Sequence, residues 1–315
     1  MTKLPEIRGH VWIGSEPITL DDIAGKVVLV DFWTYSCVNC VRTLPHIREW
    51  HERYKDDGLV VIGIHTPEFE FEQDPKNVKD AILRLGVNWP VILDNDHDNW
   101  DVFGNQYWPA TYLADTKGNI VYTHFGEGSY CETESKIREL LGSFGENETC
   151  NKEHTHGALC SVATAETYCG YMRGNIANEL GYAEDAEEAY KEKTEIQEGE
   201  INLNGKFFVT HEYAESREAG ATLSLLLRGT EVNLVLSRGK GETVVEVLWN
   251  GIPVPKEIRG KDISAEGKLD ISRSDMFNLI KSNTPIEGTI TIRAEKGNFR
   301  AHSFSFSGCA NSLSS

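Results

Sequence analysis

The chain has 315 residues, with 31 Lys and Arg against 49 Asp and Glu, for a formal net charge of −18. That surplus of negative charge argues against nucleic acid and against anionic membrane surfaces as partners. A content of 40% hydrophobic and 25% charged residues is that of a soluble globular protein long enough for two domains.

No segment approaches the roughly 20 uninterrupted apolar residues of a membrane span, so no membrane insertion is expected. The first residues, Met1-Thr-Lys-Leu-Pro-Glu-Ile-Arg-Gly-His10, contain no apolar stretch of the signal-peptide kind. A cytoplasmic location is therefore expected. Cysteines stand at 37, 40, 131, 150, 160, 169 and 309. Seven is an odd number, and too few to staple a chain of this size, so thiols in a reducing compartment are the expectation.

In chain order, residues 5–25 read as a short edge hairpin, and 26–33 as the first central strand. A helix over 39–53 follows, with Leu44, Ile47 and Trp50 on one face and Pro45 inside it as a kink. Residues 58–65 form a second apolar strand, as in a parallel sheet covered on both faces. A helix over 75–85 closed by Gly86 leads to a strand at 90–93 and a helical turn at 99–103. Strands over 110–114 and 119–124 are joined at Asp115-Thr-Lys-Gly118, and a helix over 132–141 completes an α/β domain spanning 1–145. Residues 146–200 read as a polar linker with a short acidic helix over 183–193. From 201 to 315 the pattern is all-β. Strands over 206–213, 221–227, 231–236, 243–249, 268–271, 288–293 and 301–306, with one helical insertion at 274–281, predict a β-sandwich.

The chemistry concentrates in Val28-Leu-Val-Asp31-Phe-Trp-Thr-Tyr-Ser-Cys37-Val-Asn-Cys40. An apolar strand carrying one acid runs into two cysteines spaced for the first turn of a helix, where N–H groups and the helix dipole favour a thiolate. A zinc site would need a second ligand pair, and the chain has no second Cys-x-x-Cys.

The run Val30-Asp31-Phe-Trp33-x-x-x-Cys37-x-x-Cys40 with Pro45, together with Trp108-Pro109-Ala-Thr111, resembles the thioredoxin superfamily and its cis-proline loop. Phe32-Trp-Thr-Tyr-Ser-Cys-Val-Asn-Cys-Val-Arg-Thr-Leu-Pro45, Gly63-Ile-His-Thr-Pro-Glu-Phe69, Tyr107-Trp-Pro-Ala110, Phe125-Gly-Glu-Gly-Ser-Tyr130 and Thr164-Ala-Glu-Thr-Tyr-Cys-Gly-Tyr171 are similar to the soluble part of TlpA/DipZ-type thiol:disulfide proteins, as is the β-rich tail ending Phe304-Ser-Phe-Ser-Gly308. The membrane-embedded half that DipZ-type proteins often carry is not among these residues, and Cys169 stands where that family leads one to expect leucine. The resemblance implies a thioredoxin-like α/β domain followed by a sandwich of the jelly-roll or carbohydrate-binding-module kind. It also implies a thiol:disulfide oxidoreductase without a bound cofactor, acting on protein or small-molecule thiols and disulfides and supplied by an unidentified electron donor.

Within that frame Cys37 is the expected nucleophile and Cys40 the resolving thiol. Asp31, desolvated at the strand end, is expected to titrate high and accept the Cys40 proton. A cis Trp108-Pro109 bond would face an extended substrate. Trp33, Tyr35 and Trp108 are the expected substrate contacts. In related thiol reductases an acid at the place of Glu68 lies near the cysteines, so Glu68 is expected to tune Cys40. Thr34-x-x-Cys37 also fits a peroxiredoxin-like thiol peroxidase using Cys37, but the proline expected three residues before the threonine is Asp31. A redox-inert scaffold binding glycans or partners is the other alternative. Cys150, His154, His156 and Cys160 are weak zinc candidates whose spacing matches no standard finger, so no metal is expected.

Overall fold

The structure, a computed structural model, describes residues 2–142, 162–239 and 241–308. The chain divides into two compact units, Met1–Thr155 and His156–Ser315. Among the described residues no helix is long and apolar enough to cross a membrane.

The first unit runs β1 (Trp12–Ile13), β2 (Val27–Trp33), α1 (Val38–Tyr54), β3 (Leu59–His65), α2 (Pro75–Leu85), β4 (Val91–Leu93), α3 (Asp98–Phe103), β5 (Ala110–Ala114), β6 (Ile120–Phe125) and α4 (Tyr130–Leu141). Its sheet has the order β1-β4-β3-β2-β5-β6. The pairs β2–β3 and β3–β4 are parallel, while β1–β4, β2–β5 and β5–β6 are antiparallel. All seven residues of β2 are buried, which is why the strand reads as apolar but for Asp31. Alternation divides them between two cores. Val27, Leu29 and Trp33 pack with Cys40, Leu44 and Ile47 of α1 and Val78 of α2. Val28, Val30 and Phe32 pack on the other face with Leu4, Ile23, Trp100 and Phe103. Asp31 shares the parity of Leu29 and Trp33, so its carboxyl lies on the α1 side. The expected hairpin at 5–25 does not form. β1 instead pairs with β4, Trp12 opposite Ile92, because the chain after Glu16-Pro17 offers no partner strand and the sheet edge does. Helix α1 continues through Pro45 to Tyr54. Helix α2 is delimited as the sequence indicates, with Asp74 accepting from the Lys76 N–H, Pro75 at its start and Gly86 left-handed at its end.

The second unit contains β7 (Thr167–Tyr168), β8 (Ala186–Tyr190), β9 (Ile201–Val209), β10 (Ala214–Ser216), β11 (Thr222–Arg238), β12 (Val244–Trp249), β13 (Ile252–Pro253), β14 (Lys268–Asp270), β15 (Asp275–Lys296) and β16 (Phe299–Ser307). Hydrogen bonds close a ring. β9 pairs with the start of β11, the end of β11 pairs with β16, β16 pairs with β10, and β10 returns to β9. Two layers therefore share one strand around a core of Leu203, Phe207, Leu225, Leu234, Phe277, Ile292 and Phe304, as a β-sandwich requires.

Three expectations change here. The acidic stretch at 183–193 is the strand β8, not a helix: it pairs with β9, Glu188 opposite Phe207, and leaves Glu187 exposed on the sheet edge. The insertion at 274–281 is the first part of β15, where Phe277, Leu279 and Ile280 are buried against the facing strand β11. The strands expected at 221–227 and 231–236 are one, β11, which passes Gly229 with a register shift. In each case pairing with a neighbour overrides local propensity. Part of the expected linker also belongs to this unit, since β7 pairs with β16 and Cys169 is fully buried in the core. An apolar thiol there fills the same role as the expected leucine.

Candidate active site

Strand β2 ends at Trp33 and a bend at 34–36 leads to Cys37, the N-cap of α1. The Cys40 N–H points at Cys37 Sγ at 3.4 Å, and the first turn of α1 has no acidic residue to compete for that positive end. Both cysteines are free thiols; Cys37 is partly exposed and Cys40 is buried at 1% exposure. Burial, then the hydrogen bond and charge of Cys37, push the Cys40 thiol well above its usual range, and Asp31 adds to that push. The thiolate form of Cys40 is disfavoured in this setting.

Asp31 is 1% exposed, and its Oδ1 has no hydrogen-bond partner. Desolvation alone raises its carboxyl to about 8. It lies opposite Gly63 of β3 and Thr111 of β5 at the centre of the sheet. Beside it, Trp33 Nε1 and Trp89 Nε1 are also buried without partners, and both flank Gly63.

The Trp108-Pro109 bond is cis. Trp108 is half-buried, with its Nε1 donating to the Thr66 carbonyl at 3.1 Å and its ring against Trp100 at 4.2 Å. The Pro109 carbonyl accepts from Gly126 N–H at 2.8 Å, which fixes the loop after β6. From that loop Glu127 reaches Arg42 of α1 at 3.3 Å.

The expected contact role of Trp33 and Tyr35 fails. Trp33 is fully buried on the α1 face, by the same alternation that buries Leu29. Tyr35 is 1% exposed and stacks on His65 at 5.6 Å. Neither can touch a substrate. The exposed aromatics near Pro109 are Tyr107 and Phe125, 5.4 Å apart, which sequence reasoning did not select. Glu68 is partly buried in the loop after β3, where its backbone N–H donates to Glu72 Oε2 at 2.8 Å. The zinc candidates Cys150, His154, His156 and Cys160 lie outside the described residues. Among the described residues no cluster of metal-ligating side chains is present.

One buried acid beneath the site carries no mark in the sequence. Glu72, on the short 3-10 turn Glu70–Gln73, is fully buried under the bend that precedes Cys37. Its Oε1 accepts from Thr34 Oγ1 at 2.5 Å and from Ser36 N and Oγ at 3.2 and 2.7 Å. Its Oε2 accepts from the N–H groups of Glu68 and Phe69. Desolvation raises its carboxyl to about 7 against the pull of these donors. His65 lies behind Thr34, 3.4 Å from Oγ1, and burial drops it to about 3, so it is neutral. Nothing in Glu68-Phe-Glu-Phe-Glu72 marks the last acid apart from the other two.

Residues 2–123 match the profile of the AhpC/TSA family, and residues 164–307 match that of the thioredoxin like C-terminal domain. Protein DipZ of Mycobacterium bovis is 34% identical over 269 residues, 81% of this chain but 38% of DipZ, so the chain spans well under half the length of that relative. The thiol-disulfide oxidoreductase YkuV of Bacillus subtilis is 30% identical over 140 residues, 44% of this chain and 93% of YkuV. The thiol-disulfide oxidoreductase ResA of Halalkalibacterium halodurans is 31% identical over 127 residues, 40% of this chain and 67% of ResA. A thioredoxin-like first unit with a cis-proline loop and a dithiol at a helix N-terminus, joined to a matched C-terminal domain, places this chain in the thioredoxin-like thiol-disulfide oxidoreductase family, among its TlpA/DipZ-like members.

Proposed function

We propose that the chain carries out dithiol–disulfide exchange through Cys37 and Cys40, with Asp31 as proton acceptor for Cys40. The observation that carries this reading is the asymmetry of the pair. Cys37 is accessible, with a backbone N–H aimed at its sulfur, while Cys40 is buried beside a partnerless carboxyl. The Cys37 thiolate attacks one sulfur of a substrate disulfide; a mixed disulfide forms and the other substrate sulfur leaves as a thiolate. Cys40 gives its proton to ionised Asp31 and attacks Cys37 Sγ, closing the internal disulfide and releasing the substrate thiolate. A carboxyl titrating at about 8 is ionised in roughly a tenth of molecules at neutral pH, enough for a base that need act only once per turnover. Run in reverse, the same steps oxidise a substrate dithiol. The reduction potentials of the substrate and of a separate electron donor set the direction. Protein or small-molecule thiols and disulfides fit the open Cys37, with Tyr107, Trp108 and Phe125 around Pro109 as the contact surface.

The test uses oxidised glutathione as probe. A Cys40→Ser variant should accumulate glutathione on Cys37, located by peptide mass mapping, while Cys37→Ser should leave Cys40 unmodified. Equal modification of Cys40 in Cys37→Ser would sink the assignment of roles. The AhpC/TSA match favours a second reading, thiol peroxidase chemistry at Cys37. Against it, the Thr34 hydroxyl that such a site would use is fully buried and donates to Glu72. Hydroperoxide consumption by reduced protein, abolished in Cys37→Ser, would support that reading.

A further inference from the structure

We propose that Glu72 is a positioning residue for the dithiol: its carboxylate pins the 34–36 bend to the turn after β3 and so holds Cys37 on the N-terminus of α1. This rests on the reading of Cys37 and Cys40 as the redox pair. Glu72 is remote from them in sequence and belongs to a different loop. Its two oxygens divide the work. Oε1 takes three donors from the bend, Thr34 Oγ1, Ser36 Oγ and Ser36 N, while Oε2 takes the backbone N–H groups of Glu68 and Phe69. Five donors on one carboxylate, fully removed from water, leave the bend a single arrangement.

The step from bend to sulfur is short. The Cys37 N–H donates to the Thr34 carbonyl at 3.4 Å, so the residue whose hydroxyl Glu72 holds also anchors the N-cap backbone. Ser36, held through both backbone and side chain, is bonded covalently to Cys37. Tyr35 between them is locked by stacking on His65. With the bend fixed, Cys37 Sγ faces the Cys40 N–H and reduced sulfur is favoured at that place. With the bend loose, Cys37 samples other orientations and the reduced form loses part of that support.

A role through space and a role through position predict opposite signs. Removing a negative charge near the cysteines would by itself make Cys37 more reactive as an anion. Loosening its support would make it less reactive. In Glu72→Gln one oxygen becomes an NH2 group that must face donors on one side of the clamp, so at least one bond is lost and one clash gained.

The experiment measures Cys37 alkylation by iodoacetamide in the reduced full chain at neutral pH, and the dithiol–disulfide equilibrium in glutathione buffers. It compares the parent, Glu72→Gln and Ser36→Ala. Positioning predicts roughly fivefold slower alkylation in Glu72→Gln. It also predicts an equilibrium moved about tenfold toward the disulfide, about 30 mV more negative. Ser36→Ala, which deletes one donor and no charge, should move both in the same direction by about two- to threefold. The proposal is overturned if folded Glu72→Gln keeps the parent's rate and equilibrium, or reacts faster. Should Glu72→Gln not fold, a parental rate and equilibrium in Ser36→Ala overturns it equally. A parent dithiol that does not exchange with glutathione at all would instead remove the redox reading beneath it.

Discussion

Replacing Asp31 with Asn should stabilise the protein and slow its chemistry at the same time. In the unfolded chain the carboxyl titrates near 3.8; in the fold, burial moves it to about 8. Near pH 7 the unfolded state therefore gains about 4 kcal/mol by ionising a group that the folded state keeps protonated. A folded carboxyl value raised above the unfolded one means that the folded state binds the extra proton. The parent thus loses stability as pH rises from about 4 through about 8, and the loss levels off above that. Asparagine titrates in neither state and removes this slope. Urea unfolding of the reduced full chain should show Asp31→Asn more stable by about 2 kcal/mol near pH 5, about 4 near pH 7 and about 6 above pH 8.5. Resolution of the Cys37 mixed disulfide, followed by release of glutathione, should slow about a hundredfold at neutral pH for want of a base. A variant no more stable than the parent, or a gap that does not widen with pH, would refute a buried, protonated Asp31. Unchanged resolution kinetics would refute its role as base.

The same structure sets three further expectations. Gly63→Ala would place a Cβ 3.0 Å from Trp33 Nε1 and 3.2 Å from both Trp89 Nε1 and Val91 Cγ2; overpacking there should cost about 1–3 kcal/mol in denaturant unfolding. Trp108→Phe removes the bond to the Thr66 carbonyl and should lose about 1 kcal/mol, with faster amide hydrogen exchange around 105–110. In the second unit, Asn178 is 5% exposed and bonds Lys191 O, Leu203 O and Leu203 N. Asn178→Ala should destabilise that unit by about 2–4 kcal/mol, read by its unfolding transition, because two buried backbone groups of Leu203 lose their partner.

What could be read from sequence was what is local. A lone acid inside an apolar strand marks Asp31 because desolvation acts on the residue itself, whatever surrounds it. The Cys-x-x-Cys after a strand places a thiol on a helix start for the same reason. Trp33 and Tyr35 stand near Cys37 in sequence, but nearness in sequence is not nearness to substrate, and both are buried. Strand parity, which pairs Trp33 with Leu29, already pointed inward. The acids of β8 could not be told from a helix because nothing local reveals that β9 lies alongside. Glu72 was beyond reach altogether. Its burial depends on the bend at 34–36 folding over it, some 36 residues away in the chain.

The two buried carboxyls under this dithiol are near each other in titration range, about 8 for Asp31 and about 7 for Glu72, yet they are built for opposite ends. Asp31 has an oxygen with no donor at all, so its charged form has little to hold it and its neutral form loses little. Such a group can change protonation without rearranging its surroundings, which suits a proton acceptor. Glu72 faces only donors, and protonating it would set a new O–H against at least one of them. A group so committed serves to hold position. Substitution should separate them by which property fails. Asp31→Asn should leave Cys37 alkylation near parental while slowing resolution by Cys40. Glu72→Gln should slow the first attack by Cys37. If the two variants fail at the same step, the division between proton acceptor and strut is wrong, and the carboxyls act as one coupled pair.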